Sequence, residues 1–318
     1  MFGKKYAAQM INRSAENDTD RRRFLKAAGL AGLGVVGATA LGTLGGSPVS
    51  IRPSAAEGEG EVSDAAVLNF ALNLEYLEAQ FYSFAVYGAG LPDNLLDGSG
   101  DQGGVVGGHQ VTFKSRTIRQ YATEIASDER QHVEFLRKVL GDAKVAQPKI
   151  DLQNSFSAAA QAAGLVKAGE AFDAFANEEN FLLAAYLFED VGVTAYKGAA
   201  PLIQNKTYLE AAAGILAAEA YHAANIRSAM FEYDRDLTDA SVKISDARDS
   251  LDGKKDLDQG IIDDKGNANI APLDGDGIAF SRSPGQVLNI VYLNPKKVES
   301  GGFFPNGVNG DVKESDDN

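Results

Sequence analysis

Cysteine is absent from all 318 residues. That removes disulfides, thiolate metal ligands and cysteine nucleophiles from consideration. Histidine is scarce, occurring only as His109, His132 and His222. Any metal must therefore be held by oxygen and imidazole nitrogen, and the placement of so few imidazoles is informative. A positive charge excess is also missing: 30 Lys and Arg stand against 44 Asp and Glu, a formal net charge of −14. Phosphate binding needs a basic face, so no nucleic acid partner is expected. An acidic surface instead attracts cations and keeps the chain soluble. No nucleotide loop, haem motif or Ser-His-Asp pattern competes for attention. With 44% hydrophobic and 23% charged residues, the composition is that of an ordinary folded protein.

The N-terminus reads as an address. A basic, polar stretch ends in Arg21-Arg22-Arg23-Phe24-Leu25-Lys26, and a Gly-rich, weakly apolar run follows from Ala27 to about Gly46. Pro53-Ser54-Ala55-Ala56 then places small residues where a signal peptidase reads. Paired arginines before Phe-Leu-Lys resemble a twin-arginine signal, so residues 1–56 are expected to engage the twin-arginine export machinery. The chain is then exported across the cytoplasmic membrane to the periplasm, envelope or exterior. The alternative is an uncleaved anchor, since about 20 apolar residues suffice to span a bilayer. Removing residues 1–56 takes away eight basic and three acidic side chains and leaves a more acidic mature chain, at −19.

Residues 62–235 carry four long amphipathic patterns. The first runs from Ser63 to about Gly88, with Leu68, Leu72, Glu75, Glu78, Tyr82 and Ala85 on one stripe. Leu91 to Gly108 is a Gly- and Asp-rich loop. The second helix is expected from about Thr112 to Leu140, with Ile118, Ile125, Glu129, His132 and Leu136 on its stripe. Residues 142–172 are ambiguous and suit a crossover between two halves. The third helix is expected from a cap at Asn177 to about Ala199. The fourth is expected from a capping box at Thr207 and Glu210 to about Tyr233, with Ile215, Glu219, His222 and Met230 on its stripe. Together they predict an all-α fold, a four-helix bundle with a long crossover. From Asp236 to the end, periodicity gives way to an irregular Asp/Gly-rich extension. One short helix is expected there, near 284–292, from Ser283-Pro284-Gly285-Gln286. Asp274-Gly275-Asp276-Gly277 lacks the ligand alternation and terminal Glu of a calcium loop and reads as a solvated turn.

Two of the three histidines share one frame, Glu129-x-x-His132 and Glu219-x-x-His222. On a helix, i and i+3 lie on one face, so each pair can offer a carboxylate and an imidazole to the same ion. The frame repeats with its neighbours: Ile125, Glu129, His132 and Arg137 recur as Ile215, Glu219, His222 and Arg227. Glu75 with Tyr82 recurs as Glu189 with Tyr196. A pseudo-two-fold axis would bring Glu75, Glu129, His132, Glu189, Glu219 and His222 together as metal ligands. Four carboxylates on apolar stripes cannot be buried uncompensated, and two divalent cations would neutralise them. Oxygen and imidazole donors suit two Fe or Mn ions, with Zn an alternative. The blander alternative satisfies the acids with arginines or protons. Glu78, one turn from Glu75, is either a seventh ligand or a supporting acid. Asp128 is placed to orient an imidazole across the bundle, though its counterpart is Ala218. Tyr82 and Tyr196 either hydrogen-bond ligand carboxylates or simply pack. His109 sits in a glycine-rich loop and reads as a surface residue.

This ligand pattern resembles that of the ferritin-like dimetal-carboxylate superfamily. More closely, Leu72-Asn73-Leu74-Glu75-Tyr76-Leu77-Glu78, Glu189-Asp190-Val191-Gly192-Val193 and Gly301-Gly302-Phe303-Phe304-Pro305-Asn306-Gly307 resemble an exported ferritin-like domain family related to plant desiccation-related proteins. The likeness spans roughly residues 62–312. It implies that Glu129 and Glu219 bridge or cap two metals, that Glu75 and Glu189 are terminal ligands, and that each ion takes one histidine. It implies small oxygen species as reactants, in ferroxidase, peroxidase or catalase-like stress protection. A non-catalytic, desiccation- or stress-related structural or metal-binding protein is the alternative, with mineral storage a third. Assembly into a homo-oligomer is left open.

Overall fold

The computed structural model describes residues 62–318. The signal-peptide reading of residues 1–56 lies outside them. Among the described residues no helix is long and apolar enough to cross a membrane.

Helix α1 spans Asp64–Tyr87 and is almost wholly buried, which explains its near-continuous apolar run. Its cap is Ser63, whose side chain accepts from the Ala66 amide. Helix α2 spans Arg116–Leu140. It begins four residues later than Thr112, because the amides of Lys114 and Ser115 donate instead to Oε2 of Glu178 (3.1 and 2.9 Å). Those bonds hold the entry extended, and Ser115 becomes the cap. Only one face of α2 is buried, so its stripe was clear in the sequence.

The crossover runs the length of the bundle, from the end of α2 back to the level of its start. Its Ile150–Asp151 (β2) pairs in parallel with Val105–Val106 (β1) of the α1–α2 loop. A short helix, α3, spans Asn154–Ala162. Helix α4 spans Glu178–Ala199, capped by Asn177 as expected. Helix α5 spans Lys206–Tyr233. Its cap is Asn205 rather than Thr207: the side-chain Oδ1 of Asn205 accepts from the Thr207 and Tyr208 amides, which puts Thr207 inside the first turn. The main packing is α1 on α2 and α4 on α5, and the two pairs face each other across the interior.

Beyond the bundle the chain is more ordered than the composition suggested. Helix α6 spans Arg235–Asp252, capped by Asp234. Its buried stripe includes Thr238, Ser241, Ser245, Arg248 and Asp252, so the apolar period was nearly invisible. Helix α7 spans Pro284–Val291 with the expected capping box of Ser283 and Gln286. The Asp274 turn is exposed and closes on itself, its carboxylate accepting from the Asp276 and Ile278 amides.

The glycine-rich tail is a plug. Phe303 and Phe304 are fully buried. Phe303 lies 5.0 Å, ring centre to ring centre, from both Phe156 and Phe188. Gly302 has φ 43°, and a Cβ there would come within 2.6 Å of the Val291 carbonyl oxygen. Only glycine accepts both constraints. Asn309 and Asn73 of α1 then exchange two hydrogen bonds (2.8 and 3.0 Å), tying the tail to the helix that carries Glu75.

Candidate metal centre

Each of the four bundle helices contributes one glutamate to a common interior point. Glu75 (α1), Glu129 (α2), Glu189 (α4) and Glu219 (α5) are at most 1% exposed. His132 of α2 points Nδ1 toward Glu75 (3.2 Å), Glu129 (3.6 Å) and Glu219 (3.8 Å). His222 of α5 points Nδ1 toward Glu129 (3.0 Å) and Glu189 (3.6 Å). The two rings are 6.2 Å apart. Two sets of potential ligand atoms result, each drawn together within 4.8 Å: Glu75, Glu129, His132 and Glu219, and Glu129, Glu189 and His222. Glu129 belongs to both.

These approaches lack hydrogen-bond geometry. One oxygen each of Glu75 and Glu189, both oxygens of Glu129 and Glu219, and Nδ1 of both histidines are buried without a hydrogen-bond partner. Eight inward-facing polar atoms cannot all be left so without a large desolvation cost. Lone pairs that converge without a shared hydrogen are what a cation requires, and the donor set of carboxylate and imidazole suits Fe, Mn or Zn. The arginines that might have neutralised the acids are used elsewhere. Arg137 donates to the Tyr76 hydroxyl (2.6 Å) and pairs with Asp97. Arg227 pairs with Asp190 (2.7 Å). No Lys or Arg pairs with the four glutamates among the described residues.

The repeat is visible in the surrounding contacts. The Tyr82 hydroxyl donates to Oε1 of Glu189, and the Tyr196 hydroxyl donates to Oε1 of Glu75. The tyrosines therefore orient two of the candidate ligand carboxylates across the α1–α4 interface. Arg137 meets Tyr76, the residue after Glu75, as Arg227 meets Asp190, the residue after Glu189. Asp128 Oδ2 lies 3.2 Å from Nε2 of His222, where it fixes the ring so that Nδ1 faces the acids. His132 has no such partner from Ala218 and is the most exposed of the six, at 13% of its side chain.

The symmetry fails at one place. Glu78 of α1 is 5% exposed, and the matching residue of α4 is Gly192. A Cβ on Gly192 would strike Oε2 of Glu219 and reach Oε1 of Glu78. Glu219 thus leans into the space Gly192 leaves, and it falls in the first set of potential ligand atoms and not in the second. A cavity of about 20 Å³ lies beside Glu78 and Gly192, closed by Ile290 and Val291 of α7.

Without a cation the cluster must hold protons. Burial raises Glu75 to about 7 and Glu189 to about 8, partly offset by His132 and His222 respectively. Burial, reinforced by the neighbouring carboxylates, pushes Glu78 and Glu219 well up. Burial opposes charge on Glu129 too, but the two imidazoles outweigh it and hold this carboxylate far below its usual range. Burial disfavours charged histidines, yet the carboxylates raise His132 to about 11 and His222 to about 9.

His109 lies away from the centre. It is exposed and sits 2.9 Å from Asp173.

Residues 63–232 match the ferritin-like domain family, and the chain belongs to that family. It is 30% identical over 264 residues to the desiccation-related protein PCC13-62 of Craterostigma plantagineum, covering 78% of this chain and 83% of that one. It is 26% identical over 270 residues to the ferritin-like catalase Nec2 of Nesocodon mauritianus, covering 79% and 85%.

Proposed function

We propose that this member of the ferritin-like domain family is an exported protein that holds two iron or manganese ions and disproportionates hydrogen peroxide. The reading is carried by the eight buried, unpartnered polar atoms of Glu75, Glu129, Glu189, Glu219, His132 and His222 that face one another. The name of the relative Nec2, a ferritin-like catalase, supports peroxide as the reactant. Disproportionation turns two hydrogen peroxide molecules into one oxygen and two waters, so no further reductant is needed.

The ions would supply a redox couple that one peroxide reduces and the next oxidises. The chain's own contributions follow from its geometry. Glu129 is shared by both sets of ligand atoms, and Glu75, Glu189, Glu219 and the two imidazoles complete them. Tyr82 and Tyr196 keep one oxygen of Glu189 and Glu75 turned outward to a hydroxyl, leaving the other oxygen facing inward. Asp128 holds the His222 ring. Burial, reinforced by its acidic neighbours, pushes the Glu78 carboxyl well up and so favours its protonated form. Its carboxyl oxygen beside the small cavity is a place to hold and return the proton that peroxide chemistry moves. The apolar walls of that cavity, Leu74, Leu187 and Val191, exclude bulk water.

Transport by a twin-arginine signal fits a cofactor inserted before export, and remains part of the proposal. A second reading is favoured by the closure of the site: apart from His132, its ligands are at most 5% exposed. A sealed metal centre in a stress-related structural protein would look the same, and the relative PCC13-62 is named for desiccation.

The deciding experiment is metal analysis and oxygen release on the exported protein, beside the double variant Glu129→Ala, His222→Ala. About two iron or manganese ions per chain and oxygen evolved from peroxide, both lost in the variant, support the enzyme. Two ions without oxygen release leave the structural reading. Loss of neither on mutation would remove the metal centre altogether.

A further inference from the structure

The six candidate ligands are not equally covered. Glu75, Glu129, Glu189 and Glu219 are at most 1% exposed, and the His222 side chain is 5% exposed. The His132 side chain is 13% exposed, so it is the ligand through which the centre meets solvent. The cause is a break in the internal repeat. Asp128, four residues before His132 on α2, crosses to α5 and lies 3.2 Å from Nε2 of His222. The repeat sets Ala218, four residues before His222 on α5, against His132. A methyl group cannot hydrogen-bond the ring, and Nε2 of His132 has no hydrogen-bond partner among the described residues. One imidazole is latched from outside and the other is not.

The other approach to the centre, the small cavity beside Glu78, differs in kind. Its walls, with Leu74 and Leu187 on the helices and Ile290 and Val291 of α7 above, are apolar. Such walls offer a divalent cation nothing in place of its hydration shell, so passage there is costly. The seam between α2 and α5 offers ligand atoms instead. The Asp128 side chain is 37% exposed and presents its carboxylate there. In a chain of net charge −14, an exposed acid beside an opening favours the approach of cations.

We propose that His132 is the door of the metal centre: its unlatched ring swings outward into the seam beside Ala218, and divalent cations enter and leave between Asp128 and Ala218. The inference rests on the two-metal reading above. It gives the asymmetry of the repeat a role, since Asp128 holds one imidazole fixed while the other moves.

Manganese(II) uptake by the metal-free full chain, followed by loss of the free-ion electron paramagnetic resonance signal, and manganese release into a chelator test this. Two ions bound at saturation show that a variant keeps its centre. Ala218→Leu covers the ring with bulk. It slows uptake and release alike, by about tenfold, and leaves affinity unchanged, because a barrier on the path alters both rates and not their ratio. Ala218→Asp supplies the missing latch. It slows release about tenfold or more and tightens binding, the range that a carboxylate behind a ligand imidazole commands. Ile290→Ala opens the apolar side and leaves uptake unchanged. The proposal is overturned if both Ala218 variants exchange two ions as fast as the unaltered chain. It is equally overturned if Ile290→Ala speeds uptake while Ala218→Leu does not slow it. If the unaltered chain takes up neither manganese nor iron, the metal centre itself is lost and the door with it.

Discussion

Gly192 of α4 stands against Glu219 of α5 so closely that any Cβ would strike the Oε2 of that carboxylate. The internal repeat places Glu78 at the matching position of α1. One half of the bundle therefore brings an extra acid to the centre, and the other has a glycine there, into whose space the Glu219 carboxylate leans. The site is a pseudo-symmetric frame with one deliberate asymmetry, at the side of the small cavity under α7.

Gly192→Ala should displace the Glu219 carboxylate. Overpacking of this kind costs about 1–3 kcal/mol. The loss is expected to be larger in metal-loaded than in metal-free protein, because the ligand position itself moves. Thermal denaturation of both forms, with metal content, checks it. An equal loss in both forms would mean that Glu219 is not a ligand.

Asp128→Asn removes the charge that faces Nε2 of His222. Supporting groups of this kind typically matter about 10- to 100-fold in metal affinity. His132 has no equivalent, so the effect should fall on one ion of the two. Competition with a chelator should show one weakened site and one unchanged. Two equally weakened sites would contradict the assignment.

The metal-free protein should lose stability as pH rises. Glu75 and Glu189 move from 4.5 to about 7 and about 8, and His222 from 6.5 to about 9. All three bind protons more tightly when folded. Their contributions are complete below 4.5 for the acids and below 6.5 for His222, and are lost as pH passes the folded values. Glu129 is depressed and acts oppositely, but only at strongly acid pH. Denaturant midpoints of the metal-free chain should therefore fall between about pH 5 and about pH 9. Bound cations replace the protons, so the metal-loaded chain should show a smaller slope. A rising midpoint in the metal-free chain would contradict the proton assignments.

Arg248→Met leaves Asp190 and Asp258 each short of a buried partner. Breaking a buried pair from one side costs about 3–5 kcal/mol. The loss should concentrate where α6 and the segment after it meet α4. Hydrogen exchange should speed there first, while the α1–α2 pair stays protected. Uniform acceleration throughout the chain would show that the extension and bundle unfold as one.

Much of the site was legible because the chemistry obeys helical spacing. Glu129-x-x-His132 and Glu219-x-x-His222 can be found with no structure, and so can the repeat linking Glu75–Tyr82 to Glu189–Tyr196. What was hidden obeys no local spacing. Arg227, Arg248 and Arg282 meet Asp190, Asp252 and Asp258 over separations of up to 58 residues. The stripe of α6 is mixed because Arg248 and Asp252 at its far end join that ion-pair network, while Leu237, Ala240 and Ile244 join the apolar core. Asn205 displaced the expected cap of α5 because an equally good acceptor came two residues earlier.

The sequence by itself determined the four bundle helices, the face each buries, and the acids and imidazoles on those faces. A period of 3.6 residues is a property of each segment alone. Only the tertiary structure decided which of those atoms meet. Glu129 became the carboxylate common to both sets, Asp128 reached His222, and Glu219 leaned into the space beside Gly192. Those relations depend on how far one helix is rotated against another, and that is settled by packing across the whole interior rather than by any one stretch of chain.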